Sequence, residues 1–226
     1  MRQARMKELL YLITLLLPWG IRRRLLVFAF GYRIHPTSRI GLAWVMPEQL
    51  IMDAYSSIGT LTLCRGLKLL HLKQSASIGR ANWIGGFPAG RKEHYAHQQD
   101  RQPDLIVGEH AAITNRHLID CTNRVTIGAF CTFAGSRSQI LSHSIDLVSC
   151  RQSSAPITIG DYTFIGTDCV ILGGSSLPDH SILGAKSLLN KWYSEPYCLY
   201  AGNPARPVKH LAEDMGYFNR QTGFVA

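Results

Sequence analysis

Six aliphatic residues stand at a fixed interval of six along this chain: Ile159, Ile165, Ile171, Leu177, Leu183 and Leu189. Four positions after the first five come Thr163, Cys169, Ser175, Ser181 and Ser187, all small. Gly160, Gly166 and Gly184 directly follow three of the ladder residues. An amphipathic helix repeats its apolar positions about every 3.6 residues and a half-buried strand about every 2. A sustained period of six is neither. It marks a stacked repeat of the hexapeptide β-helix type, in which each unit makes one short flat side and one corner. The aliphatic residue points inward onto its equivalent in the next coil, and the small residue fits the tight corner. Glycine serves where the backbone needs dihedrals that other residues resist.

The pattern extends outward from this block. Ile34, Ile40 and Met46 keep the same interval, as do Val107, Ile113 and Ile119. A shift of two then carries Val125 to Ile127 and Phe133. Ile58, Ile78 and Ile84 are further rungs at irregular spacing, which predicts distorted or interrupted early coils. Residues 86–104 lose the pattern and carry two prolines, many polar groups, His94 and His97. Residues 136–156 lose it again and hold His143. Both stretches predict protruding loops.

Residues 1–31 read as two short apolar helices joined at Pro18-Trp19-Gly20. Residues 32–209 read as the coil. Residues 210–226, with Leu211, Met215, Tyr217 and Phe218, predict a short terminal helix that caps the coil's open end. An uncovered last rung would be a sticky edge. The predicted class is mainly β.

The stretch Pro156-Ile157-Thr158-Ile159-Gly160-Asp161-Tyr162-Thr163-Phe164-Ile165-Gly166-Thr167 is similar to the signature coil of the hexapeptide-repeat acyltransferases. These are left-handed parallel β-helices that move acetyl groups from acetyl-CoA. Ala201-Gly202-Asn203-Pro204-Ala205-Arg206-Pro207-Val208-Lys209 resembles that family's closing motif. Leu141-Ser142-His143-Ser144-Ile145-Asp146 resembles the segment of its sugar O-acetyltransferases, the exopolysaccharide and colanic-acid type above all, that carries the catalytic histidine. The resemblance spans residues 105–210 and is loose before that. It implies a left-handed parallel β-helix, acetyl-CoA as donor, a saccharide acceptor and a homotrimer with its sites between subunits.

Composition adds limits. The 226 residues are 46% hydrophobic, enough for one large domain or one domain with an appendage. Cys64, Cys121, Cys131, Cys150, Cys169 and Cys198 form no CxxC pair. Cys131 and Cys169 occupy small-residue positions of the ladder, so nothing reads as a disulfide framework or a zinc site. A reducing cytoplasm is the expected compartment.

The net charge of +9 is unevenly spread. Residues 1–39 hold eight basic side chains against Glu8 alone, which leaves a net +2 on the rest. The charge therefore belongs to the N-terminus and gives the body no nucleic-acid signal. Neither apolar run there reaches the roughly 20 residues that span a bilayer. No small-residue cleavage site follows, as a secretory signal would have. Two readings stay open for residues 1–31. One is peripheral contact with the anionic inner face of the cytoplasmic membrane. The other is packing on the coil or on neighbouring subunits.

A sugar hydroxyl is a weak nucleophile at neutral pH, and its attack on a thioester needs a base. Histidine is suited to that task. Of the nine histidines, His143 is the candidate, because it lies on a non-repeat excursion and matches the family segment. Asp146 is the candidate to orient its imidazole. His117 breaks the small-residue rule, and Asn115, His117 and Asp120 resemble a recurrent segment of the polysaccharide enzymes. They are expected to line the acceptor site or to brace the His143 loop. The resemblance further implies an oxyanion donor in the backbone N–H of Thr167, just after Gly166. It lays the coenzyme A arm along Gly166, Gly184 and Ala185 with Lys191 nearby, and the phosphate end at Ala201, Gly202, Arg206 and Lys209. No metal is expected.

Alternatives within transferases are an amino-sugar, serine or antibiotic acceptor. A γ-class carbonic anhydrase shares the coil, but its ligands here would have to be His110, His117 and His143, whose spacing differs from that family's. A non-catalytic scaffold is the third class.

Overall fold

The computed structural model of the chain describes residues 2–90, 94–223 and 225. Residues 91–93 of the first predicted loop, and 1, 224 and 226 of the terminal segments, lie outside the described residues.

The chain winds repeatedly through three sheets, two of seven strands and one of nine. The first face runs from Arg33–Ile34 to Ser176–Leu177, the second from Arg39–Ile40 to Ala205–His210, the third from Trp44–Met46 to Leu188–Leu189. Most strands are two to four residues long, too short to persist alone. Each is held by parallel pairing with its equivalents in the coils before and after, about 4.8 Å away. The inward residues stack as the periodicity predicts: Ile159 on Leu177, Ile165 on Leu183, Ile171 on Leu189, a step of 18 each time.

The early coils are regular, contrary to expectation. Leu50 pairs with Leu70, Ile58 with Ile78 and Cys64 with Ile84, a step of 20. The two extra residues belong to the first face. Its strands bury two inward side chains each: Leu50 and Met52, Leu70 and Leu72, Leu105 and Val107, Val125 and Ile127. The shift of two at Val125 is therefore a wider face with a doubled rung, not a broken ladder.

Corners are closed by non-glycine residues in the left-handed region. His110, Phe130, Tyr162, His180 and Tyr197 have φ of 56°, 54°, 53°, 54° and 52°. Each such residue costs about 1–2 kcal/mol. The conformation turns the N–H along the coil axis. His110 donates to the carbonyl of Gln74 at 2.9 Å, Phe130 to Glu109, Tyr162 to Ala129 and His180 to Asp161, each at 2.8 Å. A net hydrogen bond of about 1 kcal/mol offsets much of the strain. The five rings also stack into one column, with centroids 4.6–5.1 Å apart.

This column explains a second departure. The tail does not cap the open end. The one-turn 3-10 helix Gly216–Asn219 lies back along the ring column instead. The Tyr217 hydroxyl donates to Thr163 O at 2.7 Å, and Phe218 meets His180 and Tyr197 edge-on. The last rung is covered by other residues. Tyr200 stands in register over Leu183, and Tyr193 packs beside it.

Helices α1 (Arg2–Leu15) and α2 (Trp19–Phe30) close the opposite end. Pro18 separates them and Gly31, at φ 70°, ends the second. Tyr11 and Leu26 are fully buried. So is Arg22, one of the eight basic residues among positions 1–39. The first coil has no coil above it, so its carbonyls lack ladder partners. Arg22 supplies donors, to Gly41 O at 2.7 Å and Ala43 O at 3.0 Å. The Tyr11 hydroxyl accepts from Val45 N–H at 3.0 Å. Of the two open readings for residues 1–31, packing on the coil holds for this inner face. The outer face leaves Leu9, Leu12, Ile13, Leu16 and Phe28 exposed. No helix among the described residues is long and apolar enough to cross a membrane.

Replacing Arg22 by alanine leaves the Gly41 and Ala43 carbonyls buried without donors, a cost of about 2–4 kcal/mol. Urea unfolding monitored by circular dichroism is expected to show that loss, with new protease cleavage around Pro18. Arg22→Lys should recover part of it.

Candidate active site

Both excursions leave the coil at the same corner, between the third and first faces. One follows the strand Trp83–Gly85 and the other follows Gln139–Leu141. The register resumes intact after each, Leu70 pairing with Leu105 and Val125 with Ile157. A single uninterrupted corner, residues 121–124, lies between them. The second excursion is an antiparallel hairpin of His143–Asp146 with Arg151–Ser154, narrower than the predicted 136–156, because Ile140 is a core rung.

The two excursions clasp over that corner. Gln98 Nε2 donates to Ser154 O at 3.0 Å, and Ser154 Oγ donates to Gln98 Oε1 at 2.7 Å. Buried Arg101 donates to the carbonyls of Phe87 and Thr122, both at 2.6 Å, and stacks 4.4 Å from the Tyr95 ring. Between the clasp and the outer surface of the third face lies a cavity of about 450 Å³. Arg65, Trp83, Phe87, Tyr95, Asp120 and His143 are among its lining residues.

His143 Nδ1 lies 2.8 Å from Asp120 Oδ2. The same oxygen accepts the N–H groups of Ser142 and His143 at 2.9 and 3.0 Å and the Ser142 hydroxyl at 2.8 Å. Oδ1 accepts the Thr122 hydroxyl at 2.7 Å. Burial pushes the Asp120 carboxyl up, but the hydrogen bonds from Thr122, His143 and Ser142 outweigh it and hold it below its ordinary value. Asp120 is thus a carboxylate at neutral pH. In the neutral imidazole of His143 this contact puts the proton on Nδ1 and the lone pair on Nε2. That is the arrangement of a general base.

Asp146 does not orient His143. Residues three apart on a strand point to opposite faces. Asp146 instead caps the hairpin turn, accepting Val148 N–H at 2.9 Å and the Ser149 hydroxyl at 2.7 Å. Of the expected trio Asn115, His117 and Asp120, the fold brings Asp120 alone to His143. Asn115 Oδ1 accepts Arg80 N–H at 2.6 Å at another corner. His117 is 2% exposed, inside the coil, edge-on to Phe133. Its Nδ1 accepts Ser138 N–H at 3.2 Å, and its Nε2 lies 2.9 Å from Thr114 Oγ1. It braces the corner without reaching the cavity. Burial pushes it down to about 4.

The residues expected at the coenzyme divide between two places. Gly166, Thr167, Gly184, Ala185, Ala201 and Gly202 gather along the corner between the second and third faces. Gly166 N–H donates to Leu183 O and Gly184 N–H to Tyr200 O, both at 2.8 Å. A Cβ on Gly166 would meet Ala185 N at 2.5 Å, so coil stacking alone already requires glycine there. The Thr167 hydroxyl donates to Ser136 O at 3.0 Å. Arg206 pairs opposite Ala201, and Lys209 opposite Leu199, on an antiparallel strand. Lys191 is elsewhere: its carbonyl accepts Ser176 N–H at the start of the first face. Within one chain His143 and the small-residue column stand at different corners, separated by the width of the third face. The metal alternative brings nothing together. His110 sits in the ring column, His117 inside the coil and His143 at the cavity.

Sequence reading missed Asp120 as the partner of His143, and with it Arg65, Trp83, Phe87 and Tyr95. A signal was present. Asp120 pairs with Leu141 one coil on, so the correct register places it beneath His143.

No family model matches the chain. A chloramphenicol acetyltransferase of Agrobacterium fabrum is 22% identical over 152 residues, covering 52% of this chain and 72% of that one. The polysialic acid O-acetyltransferase OatWY superposes with a TM-score of 0.60 at 18% identity, over 79% of this chain and 84% of that one. A hexapeptide-repeat acetyltransferase of Vibrio cholerae O1 biovar eltor, complexed with acetyl coenzyme A, gives 0.51 at 21%, over 63% and 71%. The fold is therefore that of hexapeptide-repeat acetyltransferases, a polysialic acid O-acetyltransferase among them, as the sequence motifs imply.

His117 gives a pH prediction. The unfolded chain takes up its proton near 6.5 and the folded chain not until about 4. The folded state therefore loses stability as pH falls through that window, by about 2 kcal/mol between pH 7 and pH 5. His117→Gln, which can keep both hydrogen bonds, should remove this share of the pH dependence in paired urea titrations. An unchanged slope would refute the assignment.

Proposed function

We propose that the protein is an acetyl-CoA-dependent O-acetyltransferase that acetylates a sugar hydroxyl in surface polysaccharide assembly. The observation that carries this reading is the His143–Asp120 pair at the cavity. Acetyl-CoA and the acceptor bind together, and transfer is direct. As the acceptor oxygen attacks the thioester carbonyl, His143 Nε2 takes the hydroxyl proton. Asp120 holds the ring and stabilises the imidazolium that forms. The backbone N–H of Thr167 faces the oxyanion of the tetrahedral intermediate. The carbon–sulfur bond then breaks, and His143 returns the proton to the departing thiolate. The products are an O-acetyl sugar and free coenzyme A.

The donor lies along Gly166, Gly184 and Ala185, with its phosphates near Arg206 and Lys209. Because that column and His143 occupy different corners of one chain, the reading includes a left-handed coil in a homotrimer, where the column of one subunit meets His143 of the next. The apolar outer face of α1 and α2, with exposed Arg24 beside it, rests on the anionic inner face of the cytoplasmic membrane, close to a lipid-linked acceptor.

Thiol release from acetyl-CoA tests this across sugars, lipid-linked saccharides and chloramphenicol, the last because of the relative named for it. Acceptor-dependent release is expected, falling about 10²–10⁴-fold in His143→Ala. Asp120→Asn should lose much of the same rate, whereas Asp146→Asn should stay near wild type. No release together with no acetyl-CoA binding by calorimetry would refute the reading.

A further inference from the structure

The floor of the cavity carries a cation, Arg65, that the acetyl-transfer chemistry does not use. On the third face Arg65, Gly85 and Asp120 are in register on three successive strands. At about 4.8 Å per strand, the Arg65 backbone stands about 10 Å from that of Asp120. Gly85 between them presents no side chain. A parallel column, Leu63, Trp83 and Leu118, flanks it. Trp83 is 55% exposed, although an indole on a sheet face is ordinarily covered. Its ring leans over the bare glycine, since a Cβ on Gly85 would stand 3.7 Å from Trp83 Nε1. Asp120 is fully engaged by Thr122, Ser142 and His143. The Arg65 guanidinium makes no hydrogen bond or ion pair among the described residues, and among those lining the cavity it is the one lysine or arginine.

From this we infer that the acceptor is an acidic sugar, a hexuronate or nonulosonate unit whose carboxylate is held by Arg65 while its ring lies against Trp83. The inference rests on the acetyl-transfer reading and names its acceptor class. A guanidinium recognises a carboxylate through two parallel hydrogen bonds. Among the described lining residues Arg65 is a single unpaired cation, which suits a monoanionic carboxylate met by two hydrogen bonds. The C–H face of a pyranose is apolar and suits the exposed indole. Between the two contacts, one sugar unit spans the gap over Gly85 and brings a ring hydroxyl to His143 Nε2. A neutral sugar would leave Arg65 desolvated without a partner, so the arginine also selects against neutral acceptors.

Saturation-transfer NMR on the full-length protein reads this without turnover. The probes are methyl β-D-glucuronide and the methyl glycoside of N-acetylneuraminic acid, against methyl β-D-glucoside and glucose 6-phosphate. At least one acidic glycoside should bind tenfold or more tighter than the glucoside and tighter than the phosphate. Arg65→Gln should erase that preference without lowering the melting temperature, because Arg65 is exposed. Arg65→Lys should restore part of it, and His143→Ala should retain it. Equal binding of the glucoside, preference for the phosphate, or no binding of either acidic glycoside overturns the inference. So does an Arg65→Gln variant that weakens acetyl-CoA while leaving the acidic sugars unchanged. Failure of the acetyl-transfer reading is a separate result: absent acetyl-CoA binding alongside intact acidic-sugar selectivity.

Discussion

Everything in this molecule hangs on backbone hydrogen bonds that run along the coil axis. Strands of two to four residues cannot survive singly, so each coil is defined by the ones above and below it. The corners make this possible. A residue in the left-handed region turns its N–H onto the preceding coil, and the strain is offset by that bond and by ring stacking. The same constraint creates a problem at the two ends, where a coil has a neighbour on one side only. At the final end an antiparallel hairpin and two tyrosines supply the missing layer. At the first end a buried arginine donates to the orphaned carbonyls. Arg22 is buried, then, because the axial ladder has to stop somewhere.

The ladder also decides where chemistry can be placed. An insertion within a strand would break pairing in both neighbouring coils, whereas a corner has its two ends close together and tolerates one. Both excursions use the same corner, one coil apart on either side of residues 121–124, so they close over each other. The coil between them ends its third-face strand in Asp120, which lies beneath the first residues of the hairpin. This is why one carboxylate oxygen reaches the N–H groups of both Ser142 and His143 as well as the imidazole.

Much of the coil could be read from residues 159–189, where inward positions repeat without interruption. The earlier coils misled because a doubled rung on the first face changes the step from 18 to 20, and a strict period of six then looks broken. That same uncertainty hid the site. The distance from Asp120 to His143 along the chain means little until the coil length is known. Asp146 is near His143 in sequence, but three residues along a strand put it on the opposite side. His117 breaks the small-residue rule because its buried ring braces a corner. Arg65, Trp83 and Gly85 carry no local signal at all, since their relation exists across strands.

Asp120 and the hairpin support each other energetically. A carboxylate half enclosed by protein should drift toward its neutral form, because burial penalises charge. It stays ionised because it accepts hydrogen bonds from the Thr122 hydroxyl, the Ser142 hydroxyl and backbone, and His143. Apart from Thr122, those donors belong to the first residues of the excursion. Lifting the hairpin would strip the carboxylate of most of its donors, and protonating the carboxylate would remove what fastens the hairpin. The charge that fixes the His143 tautomer and the docking that fixes its position thus depend on each other.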